Sequence, residues 1–306
     1  MPTLNVASEL YTADSVLIGR YFDEDRDPVA LDSIAPEVIN ALIATEDIRF
    51  YKHKGVDFLG LVSGVVSTIK GDQRGASTIT QQLAKNRFKT RYKQSQGYLS
   101  KIPGIRILIT KYKEWMTAYK LESRYSKNEI ITMYLNTVSF SNNAYGIKSA
   151  SLRYFNKLPS QLTTTESALL IGMLKGTTMY NPIRNPKNAV QRRNVVLSQM
   201  QKAGYISTAE VAILAQDTLK LDLSYHDNVD ANDSYLRSAV YRWLDKWSQD
   251  NEIDINKAGL KIYTTIDSRM QKIAENVVSD KMKDLQQRLK NAWSGSEPWR
   301  DKDGNV

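Results

Sequence analysis

Apolar and polar positions along the middle of the chain follow helical periods. The segment "PEVINALIATEDIRFYKHK" opens on Pro36, which suits a first helical position, and runs to Gly55, a natural stop, so one helix is expected between them. In "GASTITQQLAKN", residues 75–86, Ile79 and Leu83 point one way and can anchor a helix, while Thr78, Gln82 and Lys85 share another face with Asn86 beside them. Ser/Thr residues followed three positions later by Glu or Gln predict capped helix starts at Thr78/Gln81, Ser126/Glu129, Thr163/Glu166 and Ser207/Glu210. The cleanest helix opens at Asn185-Pro186 and closes at Gly204. The expectation is a mainly α domain over about residues 36–218.

The flanks differ. Residues 6–31 mix β-branched and aromatic side chains with turn formers and read as a short hairpin or extended stem, giving an N-terminal region of residues 1–35. After residue 218 a polar, acidic linker (224–234) precedes a helix with Tyr241, Trp243 and Trp247, a strand within 259–266 and a charged helix over 267–290. The closing "WSGSEPWRDKDGNV" has no pattern that would complete a core, so 219–306 reads as a linker and the start of a truncated second domain. No internal repeat is visible.

Composition narrows the chemistry. The 306 residues are 42% hydrophobic, enough for a full core, and carry a formal charge of +9, which calls for an anionic partner: nucleic acid, phospholipid headgroups or a phosphorylated substrate. There is no cysteine, which excludes a thiol nucleophile, a disulfide and a thiolate metal site. His53 and His226 are too few for a histidine-rich metal centre. No apolar run reaches the roughly 18 residues of a membrane span, and no signal peptide opens the chain. Gln73 to Lys113 holds ten Lys/Arg and no acid, wrapped around the apolar "GYLSKIPGIRILI" (97–109). That arrangement suits the headgroup and acyl boundary of a bilayer, or else a solvated basic loop with a partly buried middle.

Three stretches carry candidate chemistry. On one continuous helix Glu46, Phe50 and His53 stand at i, i+4 and i+7 and share a face, which fits a tuned catalytic carboxylate but, taken alone, is more often a half-buried face with a capped end. The hydroxyls, amide and lysine of 75–86 could cradle phosphate or sugar oxygens. In "KYKEWMTAYKLE" (111–122), Lys111 and Glu114 share a face at i, i+3, as in any surface ion pair.

In this order the stretches resemble the motifs of the peptidoglycan glycosyltransferases, glycosyltransferase family 51. "EDIRFYKHKG" matches EDxxFxxHxG and "GASTITQQLAKN" matches GxSTxxQQLxKN, with further likeness in "YLN" (134–136), "GIKSASLRYFNK" (146–157) and residues 166–193. The flanks resemble those of class A penicillin-binding proteins, in which a transpeptidase domain follows. Two departures stand out: Thr110 precedes Lys111 where the family usually has arginine, and Ser141 and Asn143 stand where it usually has glycines.

The resemblance implies a lysozyme-like helical lobe, a smaller membrane-facing jaw at about 87–113 and short β elements in the stems. It implies polymerisation of lipid II into β-1,4-linked glycan, with inversion and release of undecaprenyl pyrophosphate. Glu46 would take the acceptor proton, and Glu114 would orient cations or a divalent ion on the donor side. Lys85 and Lys111 would neutralise pyrophosphate, with Ser77, Gln82 and Asn86 as hydrogen-bonding positioners. Thr78, Phe50 and Lys175 join the substrate-binding set, and Asp47 and His53 hold Glu46 in place. No cofactor is obligatory, although Mg or Mn could ride on the pyrophosphate; the Asp25/Asp27 and Asp301/Asp303 pairs lie outside the motifs and build no metal cage. Implied partners are lipid II, the growing glycan strand, the membrane surface and the missing transpeptidase domain, with no nucleic acid. The implied location is the periplasmic face of a bacterial cell membrane, with an N-terminal anchor on the natural chain. The competing readings are a lysozyme-like glycan-cleaving enzyme and a non-catalytic binder of anionic membrane surfaces.

Overall fold

A computed structural model describes residues 6–61, 77–88, 105–226 and 234–293. Most of the expected jaw and its apolar stretch (89–104), part of the linker (227–233), the tail and the Asp301/Asp303 pair lie outside the described residues. What is described is mainly helical, as expected.

The helical core forms around α1 (Pro36–Glu46), α6 (Thr164–Met173) and α7 (Pro186–Lys202), which pack on one another. Helix α6 is buried almost all round, from Ser167 to Met173, so it runs through the core rather than over it. Around it lie α2 (Ile79–Phe88), α3 (Ile105–Glu122), α4 (Lys127–Leu135), α5 (Ile147–Phe155) and α8 (Thr208–Leu214). Three of the expected capping boxes form in full, at Ser126, Thr163 and Ser207. The fourth forms by half: the Gln81 amide donates to Thr78 Oγ1 at 3.2 Å, but the Gln81 side chain turns to the Gly55 carbonyl, 3.3 Å away, and leaves its own oxygen unpartnered.

The expected helix from Pro36 to Gly55 is broken after Glu46. Asp47 leaves helical geometry (φ −161°, ψ 72°), and only a short 3-10 turn, Phe50–Lys52, follows. Its carboxylate is drawn away from α1 to accept the Ile79 amide at 3.1 Å, on a neighbouring helix. A charge-assisted bond to a helix's free amide outweighs one further turn of local helix.

The stem is a hairpin, β1 (Ser8–Tyr11) and β2 (Leu17–Tyr21), antiparallel with Ser8 opposite Tyr21. Strand β3 (Asp25–Arg26) pairs in parallel with β4 (Ala144–Tyr145) in the helical region, and β5 (Lys261–Tyr263) adds to β1 in parallel. Strands from before and after the helical region thus share one sheet, ordered β2-β1-β5, over a small core of Leu10, Ile18, Tyr21, Leu244 and Ile255. Leu244 belongs to α9 (Ser234–Asn251), and α10 (Ser268–Ala292) follows with no residue buried. Asp25 and Asp27 are spent on joining stem to helices: Arg153 of α5 reaches Asp25 at 3.5 Å, and Lys148 of the same helix reaches Asp27 at 2.6 Å.

The loop that departs from the family's glycines keeps a glycine-type path. Ser141, Asn142 and Asn143 all have positive φ (70°, 47° and 60°). Asn181 braces it, donating to Ser141 Oγ at 3.2 Å and to Asn142 Oδ1 at 3.3 Å. Asparagine tolerates this region well; serine does so at roughly 1 kcal/mol, which such bracing can offset.

Candidate active site

Glu46 is the last residue of α1, and the break behind it fixes where its side chain goes. Half-buried, it accepts a hydrogen bond on Oε2 from Gln82 Nε2 of α2 at 2.8 Å. The other end of the Gln82 amide accepts the Tyr134 hydroxyl of α4 at 2.9 Å. Burial, and then the charge of Glu46, push the Tyr134 phenol well above its ordinary range, so it stays a donor.

The shared face expected for Glu46, Phe50 and His53 is not formed, because α1 ends before two of them. Phe50 is fully buried in the main core, which takes it out of the substrate-contacting set. His53 instead folds back on Asp47, its Nε2 3.0 Å from both carboxylate oxygens. The Gly55 amide donates to His53 Nδ1 at 3.1 Å, so the ring proton sits on Nε2 and faces Asp47. Asp47 and His53 therefore form a clasp that also holds the start of α2 through the Ile79 amide.

Gly55 is the hub of this clasp. Its carbonyl accepts the Thr78 hydroxyl at 2.7 Å, and its φ of +88° and close approach to α3 leave no room for a side chain. Thr78, expected to cradle substrate, is buried and its hydroxyl is used in this contact. A group that sequence reading missed secures the turn from below: Lys127 Nζ donates to the His53 carbonyl (2.7 Å) and to Glu122 (2.8 Å) and lies 4.4 Å from the Phe50 ring centre. Thr80 of α2 donates to the same Glu122 at 2.6 Å.

The second half of the site stands at the start of α2. Lys111 reaches Ser77 Oγ at 3.1 Å and Glu114 at 2.9 Å, and Glu114 is almost fully buried, so the pair is not a routine surface one. Lys85 and Asn86 are exposed one turn beyond Gln82 on the same helix. Lys175 is exposed in the turn after α6, and among the described residues no hydrogen bond ties it to the cluster. Of the "YLN" residues, Tyr134 holds Gln82, while Asn136 clasps Val29 through bonds of 2.8 and 3.0 Å to its backbone.

Residues 14–201 match the protein family described as Transglycosylase. The chain belongs to the transglycosylase family. Curated relatives of this transglycosylase include penicillin-binding protein 1A of Escherichia coli (strain K12), 36% identical over 93% of this chain and 32% of the relative. Penicillin-binding protein 1F of Bacillus subtilis (strain 168) is 34% identical over 90% of this chain and 37% of its own length. The chain thus spans about a third of the length of these relatives. Among solved structures, a 2.6 Å crystal structure of penicillin-binding protein 1A from Haemophilus influenzae is similar at a TM-score of 0.48 and 22% identity, over 87% of this chain and 28% of that one.

The cluster ties a held carboxylate, Glu46, to the helix whose start meets Lys111 and whose next turn carries Lys85, and carboxylates and lysines are groups that can take a proton and balance negative charge. Its acids are poorly disposed toward a metal: Asp47 is engaged by His53 and Ile79, and Glu114 by Lys111. Among the described residues no three His, Asp or Glu side chains gather around a point a metal could occupy. Nor is any described helix long and apolar enough to cross a membrane.

Proposed function

We propose that this chain is the peptidoglycan glycosyltransferase part of a class A penicillin-binding protein, polymerising lipid II into β-1,4-linked glycan. The observation that carries the reading is that Glu46 is hydrogen-bonded to the same helix, α2, whose start is tied to Lys111 and whose next turn presents Lys85. The donor is the growing glycan on undecaprenyl pyrophosphate, and the acceptor is the 4-hydroxyl of lipid II. Glu46 accepts the hydroxyl proton as the oxygen attacks C1 of the donor sugar from the face opposite the pyrophosphate. The C1–O bond to pyrophosphate breaks with inversion, and the departing negative charge is met by Lys85 and Lys111.

Within this reading the residues divide by task. Glu114 fixes Lys111; Ser77 and Asn86 offer hydrogen bonds to the leaving group; Lys175 serves as a further substrate contact. Asp47 and His53 set the position of Glu46 without touching substrate. A Mg or Mn ion, where one takes part, is held by pyrophosphate oxygens rather than by a carboxylate cage, and would add charge neutralisation there. The substrates place the site at a membrane surface facing the periplasm, where the basic 73–113 stretch meets lipid headgroups. In the longer protein a transpeptidase domain follows, and no nucleic acid is involved.

The test is lipid II polymerisation in detergent. Glu46→Gln is expected to abolish polymer formation while lipid II binding largely survives, and the parent is expected to lengthen glycan rather than shorten it. Polymerisation by Glu46→Gln at the parental rate, or net cleavage of glycan by the parent, overturns the proposal.

A further inference from the structure

We infer that Tyr134 is a positioning residue for proton acceptance: through Gln82 it decides which carboxylate oxygen of Glu46 is tied to the protein and which is left to face the acceptor. This rests on the glycosyltransferase reading and deepens it.

A glutamine amide is nearly symmetric in shape, so its neighbours decide which end is oxygen. Here a buried hydroxyl stands at one end, 2.9 Å from Oε1, and a carboxylate at the other, 2.8 Å from Nε2. Turning the amide over would set two acceptors, Gln82 oxygen and Glu46 Oε2, against each other at hydrogen-bond distance. Tyr134 donating into Oε1 keeps the N–H on Glu46. One of the two lone pairs of Oε2 is then committed to the Gln82 N–H, which lowers the basicity of that oxygen relative to Oε1 and directs the incoming proton to Oε1.

Tyr134 suits the task because it cannot wander. It is 1% exposed on α4, within the main core, and joins three helices through a single amide. Gln82 consequently has little left for substrate, since its oxygen and one of its two N–H groups are already engaged. The sequence likeness made Gln82 a pyrophosphate positioner; the geometry assigns it to Glu46.

The experiment is a double-mutant cycle of Tyr134→Phe and Gln82→Ala, read as kcat and KM in lipid II polymerisation, with thermal unfolding of each variant. Tyr134→Phe is expected to lower kcat about tenfold with KM within about twofold of the parent. In the Gln82→Ala background the same substitution is expected to have no further effect, because its route to Glu46 has gone. Unchanged kcat in Tyr134→Phe, or an equal fold-loss in both backgrounds, overturns the inference, since a merely structural tyrosine would act independently of Gln82. Should Tyr134→Phe fail to fold, Gln82→Met decides alone, and parental kcat there is equally fatal. Glu46→Gln run alongside separates the two levels: if it is inactive while Tyr134→Phe is parental, only the positioning role falls; if it is active, the glycosyltransferase reading falls.

Discussion

Replacing Asp47 by alanine tests the clasp on which the site hangs. The carboxylate is 3% exposed and receives the Ile79 amide at 3.1 Å and His53 Nε2 at 3.0 Å. Hydrogen bonds to a charged group contribute about 1.5–3 kcal/mol each, so two donors set a gross loss of roughly 3–6 kcal/mol. Removing a buried charge also recovers part of its desolvation cost, which pulls the net toward the lower end, about 3 kcal/mol. For a domain of this size that corresponds to a fall in Tm on the order of 10 °C. Asp47→Asn keeps one acceptor but turns an N–H₂ toward one of the two donors, so it should fall between parent and alanine. Urea unfolding at fixed pH reads the change as a lower midpoint with an unchanged slope. Polymerisation should drop in parallel, because one of the two ties between the end of α1 and α2 is lost, one residue from Glu46. An Asp47→Ala protein within about 0.5 kcal/mol of the parent would refute the reasoning, since such a shift is what an ordinary surface substitution gives.

Two further outcomes follow from local geometry. Gly55→Ala would place a Cβ 2.8 Å from the Ala118 carbonyl carbon at a φ of +88°, contacts with helix backbone that cannot swing aside. Strain and overpacking together predict a loss of about 3 kcal/mol or more in urea unfolding, and a parental midpoint would show that the turn relaxes freely. The Glu129 and Glu210 carboxyls are held below their ordinary range, first by the backbone amides of Ser126 and Ser207 and then by those serines' hydroxyls. A carboxyl depressed in the folded state stabilises it above the unfolded pKa, about 4.3, and that contribution is lost as pH falls through the folded value. The unfolding midpoint should therefore decline on acidification below about pH 4, and Glu129→Gln should flatten part of that decline; an identical pH profile in the variant would count against it.

What sequence reading reached was what local chemistry decides. The boxes at Ser126, Thr163 and Ser207 pair residues three apart, so nothing distant can rearrange them. The helix from Pro186 stops before Gly204 for the same kind of reason, a proline that can begin a helix and a glycine that can end one. Periodicity failed at Asp47, where an amide 32 residues away competes with the next turn of α1. It failed in milder form at Thr78 and Gln81, whose side chains both donate to the Gly55 carbonyl, so that only half of their capping box forms. Tyr134 was visible only as a letter in "YLN", because its partner lies 52 residues back and no spacing rule joins them. The backbone path of Ser141–Asn143 was likewise beyond spacing rules, since Asn181, which braces Ser141 and Asn142, is about 40 residues away.

In the proposed mechanism both halves of the site are tied to one helix, α2, and displacement chemistry needs such a common frame. Inversion requires the base and the charge-balancing cations on opposite sides of the reacting carbon, so their separation must hold while the sugars move between them. Gln82 and Lys85 are about one turn apart on α2, roughly 4.5 Å of rise, and Lys111 is tied to Ser77 at the same helix's start. The opposite face of α2 is locked into the core by Ile79, Leu83 and Ala84, none of them exposed at all. Glu46 arrives from α1, a different element, and would drift relative to the lysines if it were held only by its own helix. Its bond to Gln82 makes it move with α2, and the Asp47 bond to Ile79 does the same one residue later. Motion of the turns around the site then displaces acid and lysines together, which leaves their spacing, and with it the geometry of attack, unchanged.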